Sequence, residues 1–291
     1  MSEFTVGGLQ IDRIAEFGGP FPLQDFLIGL PKGAFDQEAD WLGPDYFDKA
    51  SGLVILSSHS WVIRTRHHKV LIDTCVGNHK PRPIPAFNQI ETPYIARLAA
   101  VGLSPDDIDF VMCTHLHFDH VGWNTRLENG RWVPTFSNAR YVFGSREFEN
   151  IQALAFSPDP HGEGIIYNDS ILPVVESGQM VLAEDGYALD DNLVMEASPG
   201  HTPGHMVIRA KGQGKTGLFA GDVIHHPLQA KYPDVNTMFC ADPELASATR
   251  RRYLGECADH GHLLIPAHLG APHYGRISRD GDAFRFHSGH E

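Results

Sequence analysis

One short segment, His115-Leu116-His117-Phe118-Asp119-His120, carries a dense set of ligand-type side chains. Imidazole nitrogens and carboxylate oxygens are donors that hold divalent metal ions. In an extended segment His115, His117 and Asp119 project to one side and His120 to the other, so one loop can serve two adjacent ions. Each ion needs further donors to complete four or five positions. Three downstream residues are of the right type: His201 in PGHTPGH, Asp222 closing LFAGD, and His268 closing LLIPAH. Each stands at the end of an apolar strand-like run, where loops gather over one face. The glycines beside His201 permit a tight turn.

Histidine is abundant throughout, 18 of 291 residues, and dispersed rather than gathered in a terminal run. It is the commonest metal ligand and the near-neutral acid–base group. The four cysteines, Cys75, Cys113, Cys240 and Cys257, form no CxxC pair. Cys75 and Cys113 close apolar runs and read as small core residues. This usage points to a reducing compartment, and a cytoplasmic location is expected. The start, MSEFTVGGLQ, has neither a basic nor a long apolar region, so no signal peptide is expected. No run approaches the roughly 18 apolar residues of a membrane helix, so no membrane partner is expected. The formal charge is −13, from 23 basic and 36 acidic residues. Phosphate neutralisation needs Lys and Arg, so this balance argues against nucleic acid. An apolar fraction of 42% with 20% charged residues excludes disordered, collagen-like and coiled-coil classes.

The elements that must position these donors can be traced along the chain. Residues 9–16 and 53–65 read as strands, partly alternating and rich in Val and Ile. KVLIDT (69–74) is a short buried strand that delivers Asp73. Residues 77–91 hold three prolines and read as a loop. Thr92-Pro93 opens a helix to about Val101, with Gly102 as its stop. IDFVMCT (108–114) is a continuous apolar strand that empties into the His115 segment. A strand at 139–143, a helix at 145–154 and a Pro/Gly-rich stretch near 157–164 follow. Strands near 187–196, 206–210, 218–222 and 262–268 complete the set. A helix over 243–259 places Leu245, Thr249, Tyr253 and Cys257 on one face. Strands come singly or as hairpins with few helices between, which suits two sheets packed face to face with helices outside. A single domain over 1–291 is expected, with 1–50 an N-terminal elaboration and 77–91 and 157–170 loops over a pocket.

The order LIDT, THLHFDHVGW, PGHTPGH, GD and PAH resembles that of the metallo-β-lactamase superfamily, over about residues 50–270. The resemblance implies an α/β (α+β) fold, an αββα sandwich with a dinuclear zinc site at the loop edges of its two sheets. It implies two Zn2+ per chain: His115, His117 and His201 on the first, Asp119, His120 and His268 on the second, and Asp222 bridging. Asp73 matches an acid that orients ligands through hydrogen bonds. The usual glycine after LIDT is Cys75 here, read as a change in backbone packing.

Zinc β-lactamases of the common class place a Cys where this chain has Asp222, so antibiotic hydrolysis is disfavoured. The site resembles the lactonase, glyoxalase II, phosphodiesterase and organophosphate-hydrolase branches. Two ions about 3.5–4 Å apart lower the pKa of a water to near neutrality. The expected activity is that of a lactonase or esterase, opening a small lactone or carboxylic ester by attack of the activated hydroxide, with Asp119 shuttling the proton. The alternatives are a phosphotriester or phosphodiester hydrolase, a mononuclear iron dioxygenase of the persulfide type, and a non-catalytic metal-binding protein. Homoserine-lactonase relatives carry a tyrosine three residues after the bridging Asp. His225 stands there, read either as a general acid or oxyanion donor or as a solvent-facing loop residue. His205 reads as strand packing or support for the ligands. His59, His79, His161, His287 and His290 read as surface residues. Phe118 and Trp123 flank the metal loop, and Phe87, Phe156, Tyr232 and Phe239 lie in candidate lid loops. A homodimer is the expected self-association.

Overall fold

The computed structural model describes residues 4–22, 26–157 and 162–289. Among them, one sheet runs through strands Phe4–Val6, Leu9–Phe21, Leu53–Arg64, Lys69–Ile72, Phe110–Met112, Arg140–Gly144 and Met180–Ala183, in that order. The second runs through Tyr187–Ala188, Leu193–Ala197, Met206–Gly212, Lys215–Gly221, Leu263–Pro266, Gly275–Asp280 and Ala283–Ser288.

Alternation along the strands builds the layers. Ile63, Val70, Ile72 and Met112 turn inward and meet Met206, Ile208, Phe219 and Ile265 of the other sheet. Their neighbours Val62, Leu71 and Val111 turn outward, against Tyr94, Leu98, Phe148 and Ile151 of helices Tyr94–Ala100 and Ser145–Ala155. On the far side Val207, Leu218 and Leu264 are covered by Tyr253, Leu254 and Cys257 of helix Pro243–His260. The architecture is the expected αββα sandwich.

Parallel pairing decides where loops gather. Lys69–Ile72, Phe110–Met112 and Arg140–Gly144 are mutually parallel, as are Lys215–Gly221 and Leu263–Pro266. The carboxyl ends of 69–72 and 110–112 therefore lie at one edge of their sheet, and those of 215–221 and 263–266 at one edge of theirs.

Several sequence expectations need correction. Residues 4–21 are no appendage: Leu9–Phe21 pairs along its length with Leu53–Arg64. Residues 34–46, including Phe35 and Leu42, help cover the second sheet. The segment expected as a loop over 157–170 is helical from Glu163, continuing as a π-helical turn over Tyr167–Ile171 and a helix to Glu176. Leu245 is 39% exposed, so the buried face of its helix starts at Ala246 and Thr249. His161 and His290 lie outside the described residues.

Candidate metal centre

Strand ends deliver most of the donors and the supporting Asp73. Asp73 follows Lys69–Ile72, the His115 segment follows Phe110–Met112, Asp222 follows Lys215–Gly221 and His268 follows Leu263–Pro266. His201 sits in the connection between Leu193–Ala197 and Met206–Gly212. The His115 segment is not extended throughout. A short helix begins at Phe118, with His117 the last extended residue before it. The strand-type alternation therefore stops at His117, and helical turning separates Asp119 and His120 from the two histidines before them.

The side chains fall into two groups, His115, His117, His201 and Asp222 in one and Asp119, His120 and His268 in the other, with donor atoms in each within 4.8 Å of one another. Ring nitrogens face each other at close range. His117 Nδ1 lies 3.0 Å from both His115 Nε2 and His201 Nε2, and His120 Nε2 lies 3.2 Å from His268 Nε2. Asp222 stands between the groups. Its Oδ2 is 3.2 Å from His201 Nε2, and its Oδ1 is 3.3 Å from His120 Nε2 and 3.1 Å from His268 Nε2.

Protonation fits cation binding. Burial pushes His117 down to about 3 and His115 well below the usual imidazole range, so both are neutral and carry free lone pairs. Burial works to raise the Asp222 carboxyl, but the imidazoles of His268, His120, His225 and His201 hold it well below the usual carboxylate range. Burial lowers His120, His201 and His268 too, but the Asp222 carboxylate outweighs it and raises all three, His201 to about 9. Positive charge is therefore favoured beside Asp222, whose Oδ1 is buried without a hydrogen-bond partner, and a cation in each group would supply that charge in place of protons.

The outward nitrogens are occupied, which fixes the ring orientations. His120 Nδ1–H donates to Asp73 Oδ2 at 2.9 Å, and His268 Nδ1–H to the Ser57 carbonyl at 3.2 Å. Asp73 is itself held by the Thr114 amide at 2.7 Å and hydroxyl at 2.8 Å. His205, buried and neutral, donates from Nδ1 to Ser198 Oγ at 2.7 Å and accepts the Asp222 amide at Nε2, 3.1 Å away. Gly221 makes this approach feasible, because a Cβ there would fall 2.7 Å from His205 Nε2 and Thr114 Oγ1. Cys75 keeps a left-handed backbone, φ 52°, and buries its thiol 3.3 Å from Ser60 Oγ.

The remaining expectations divide. His225 is only 4% exposed, so it is no solvent-facing residue. Its Nε2–H donates to Asp222 Oδ2 at 3.1 Å while Nδ1 is buried without a partner. This geometry directs it at the carboxylate rather than at an open pocket. His226 turns away, donating from Nε2 to the Tyr46 carbonyl and accepting the Leu228 amide at Nδ1. His59 is buried, 4% exposed, contrary to the surface reading, whereas His79 and His287 are exposed. Trp123 is no pocket wall: it stacks on Tyr94 at 5.1 Å and donates to Glu16. Phe118 is half-buried and meets Phe87, centroids 5.2 Å apart, with Phe17 5.8 Å beyond. Phe156, 79% exposed, lies at a helix end, and Tyr232 is partly buried against the core. Ser57, whose carbonyl orients His268, belongs to no motif and is not singled out by the sequence. Thr114 could have been found, standing directly before His115.

The two expected pocket loops touch. Arg82 donates to both carboxylate oxygens of Asp169, at 2.6 and 3.1 Å, and Lys80 donates to the Asp169 carbonyl at 2.8 Å. The loop at 77–91 is thereby pinned to the π-helical turn.

A family profile described as the metallo-beta-lactamase superfamily matches residues 54–277. The N-acyl homoserine lactonase AttM of Azorhizobium caulinodans is 35% identical over 116 residues, covering 38% of this chain and 39% of its own length. AiiB of Agrobacterium fabrum, also an N-acyl homoserine lactonase, is 36% identical over 133 residues, 41% of this chain and 44% of its own. The chain thus spans about two fifths of the length of these curated relatives. The solved hydrolase AbOPH superposes with a TM-score of 0.80 at 22% identity, covering 99% of this chain and 97% of that one. The dizinc quorum-quenching lactonase AidC gives 0.76 at 19% identity, with 98% and 96% covered. At these identities the likeness is one of fold.

Proposed function

The chain belongs to the metallo-beta-lactamase superfamily, and from that premise we propose that it is a dinuclear zinc hydrolase opening a lactone or carboxylic ester. The observation that carries this is Asp222, whose two carboxylate oxygens face two separate histidine groups. A carboxylate so placed can bridge two cations, with His115, His117 and His201 holding one and Asp119, His120 and His268 the other.

Two divalent cations there would supply Lewis acidity toward a carbonyl oxygen and make water a competent nucleophile near neutral pH. The chain's own residues do the rest. Asp119 has a side chain 23% exposed, against 5% for Asp222, so its carboxylate reaches the open side of the site. It is placed to take a proton from the attacking water and return it to the leaving alkoxide. His225 keeps Asp222 oriented through its Nε2–H. Phe118, next to Asp119 in the chain, meets Phe87 in an apolar pair, which favours an uncharged substrate. The lactonases among the relatives favour a lactone, and the cytoplasm is the proposed location.

The test is metal content followed by turnover on lactones, aryl esters and phosphotriesters. About two zinc ions per chain and fastest turnover of a lactone or ester are expected. Asp222→Ala should lose most of one ion and nearly all turnover. One iron per chain, or preference for the phosphotriester, overturns the reading.

A further inference from the structure

Glu147 lies on helix Ser145–Ala155, outside both donor groups, and is 2% exposed. A buried carboxylate is costly unless its oxygens are hydrogen bonded. Here each oxygen serves a different loop. Oε1 accepts the Leu116 amide at 3.1 Å, and Oε2 accepts the Gly204 amide at 3.0 Å. Leu116 stands between His115 and His117, and Gly204 lies three residues after His201. The first loop leaves one sheet and the second belongs to the other, so the carboxylate spans the seam between them.

The contact is tight on the backbone as well. A Cβ on Gly204 would fall 2.1 Å from Glu147 N, so only glycine lets the loop reach the helix. Phe148 and Ile151 already seat this helix on its sheet. Packing alone would be met by another apolar residue at 147, which a two-armed acceptor is not.

We propose that Glu147 is a positioning residue, a carboxylate clamp that sets the separation of the His115–His117 loop and the His201 loop and so shapes the first metal group. The separation matters because His117 Nδ1 and His201 Nε2 are 3.0 Å apart across this seam. The proposal rests on the metal-binding reading above.

The test compares the parent with Glu147→Gln, which keeps the volume but turns one acceptor into a donor facing an N–H. Cobalt(II) affinity is read by competition with a chelator, and the melting temperature of the metal-free protein is read alongside. The clamp predicts that cobalt binding at one of the two sites weakens about 10–100-fold, with its absorption spectrum altered, while the metal-free protein melts within a few degrees of the parent. Unchanged affinity, or a loss matched by an equal collapse of the metal-free protein, overturns it. Should the variant fail to fold, amide hydrogen exchange on the metal-free parent decides. Leu116 and Gly204 must be protected together, and rapid exchange at either amide overturns the clamp. A parent that takes up no cobalt overturns the metal reading instead, and the exchange measurement still stands.

Discussion

His120 Nδ1 lies 2.9 Å from Asp73 Oδ2, and this contact turns the opposite ring nitrogen toward His268 and Asp222. Asp73 is 47 residues upstream of His120 and contributes no donor to either group, yet it determines which nitrogen of His120 points inward.

Asp73→Ala should therefore weaken metal retention about 10–100-fold, the usual effect of removing a residue that orients a ligand. It also frees the Thr114 amide and hydroxyl, so stability should fall too. Metal content after graded dialysis against a chelator checks this. Retention equal to that of the parent would show that His120 is oriented by its loop alone.

His225 offers a sharper choice. Burial brings it down to about 4, and a cation bound nearby acts in the same direction, so it is neutral at working pH. If it serves Asp222, His225→Phe lowers metal affinity and turnover together, and excess metal restores turnover. A variant with parental metal affinity but turnover lower by about 10²–10⁴-fold would place His225 on the substrate. Chelator titration and rate measurement on one preparation separate the two.

His226 predicts a pH dependence of stability. Burial lowers it from 6.5 to about 4, and its Nδ1 is engaged by the Leu228 amide. Between these values the unfolded chain binds a proton that the folded chain refuses. Its contribution is therefore full above about 6.5 and is lost as pH falls toward 4, at most about 3 kcal/mol. Urea unfolding at pH 7.5, 5.5 and 4.5 should show a shallower acid loss for His226→Leu than for the parent. Equal slopes would contradict the assignment.

The sequence made most of the donors legible because they stand at the ends of apolar runs, and in parallel-paired strands such ends share one edge; His201 instead lies between the antiparallel strands Leu193–Ala197 and Met206–Gly212. It did not show where strand geometry stops: His117 looks like mid-segment, and only the structure starts a helix at Phe118. Glu147 and Ser57 act through contacts between distant segments and leave no local pattern. The closing hairpin Gly275–Asp280 with Ala283–Ser288, which turns at Gly281-Asp282, lies beyond the last strand expected from the sequence, 262–268. His225 and His226 are adjacent and identical in type, and their opposite orientations depend on which carbonyls and carboxylates surround them.

His120 and His268 stand 148 residues apart along the chain and 3.2 Å apart in space. No local segment can assemble that pair. Closing so long a loop costs entropy that contacts must recover elsewhere, and long-range pairing of this kind is intrinsically slow. A chain emerging from synthesis carries the His115 segment well before it carries His268. Until the second sheet docks, it holds most of the donors and no site.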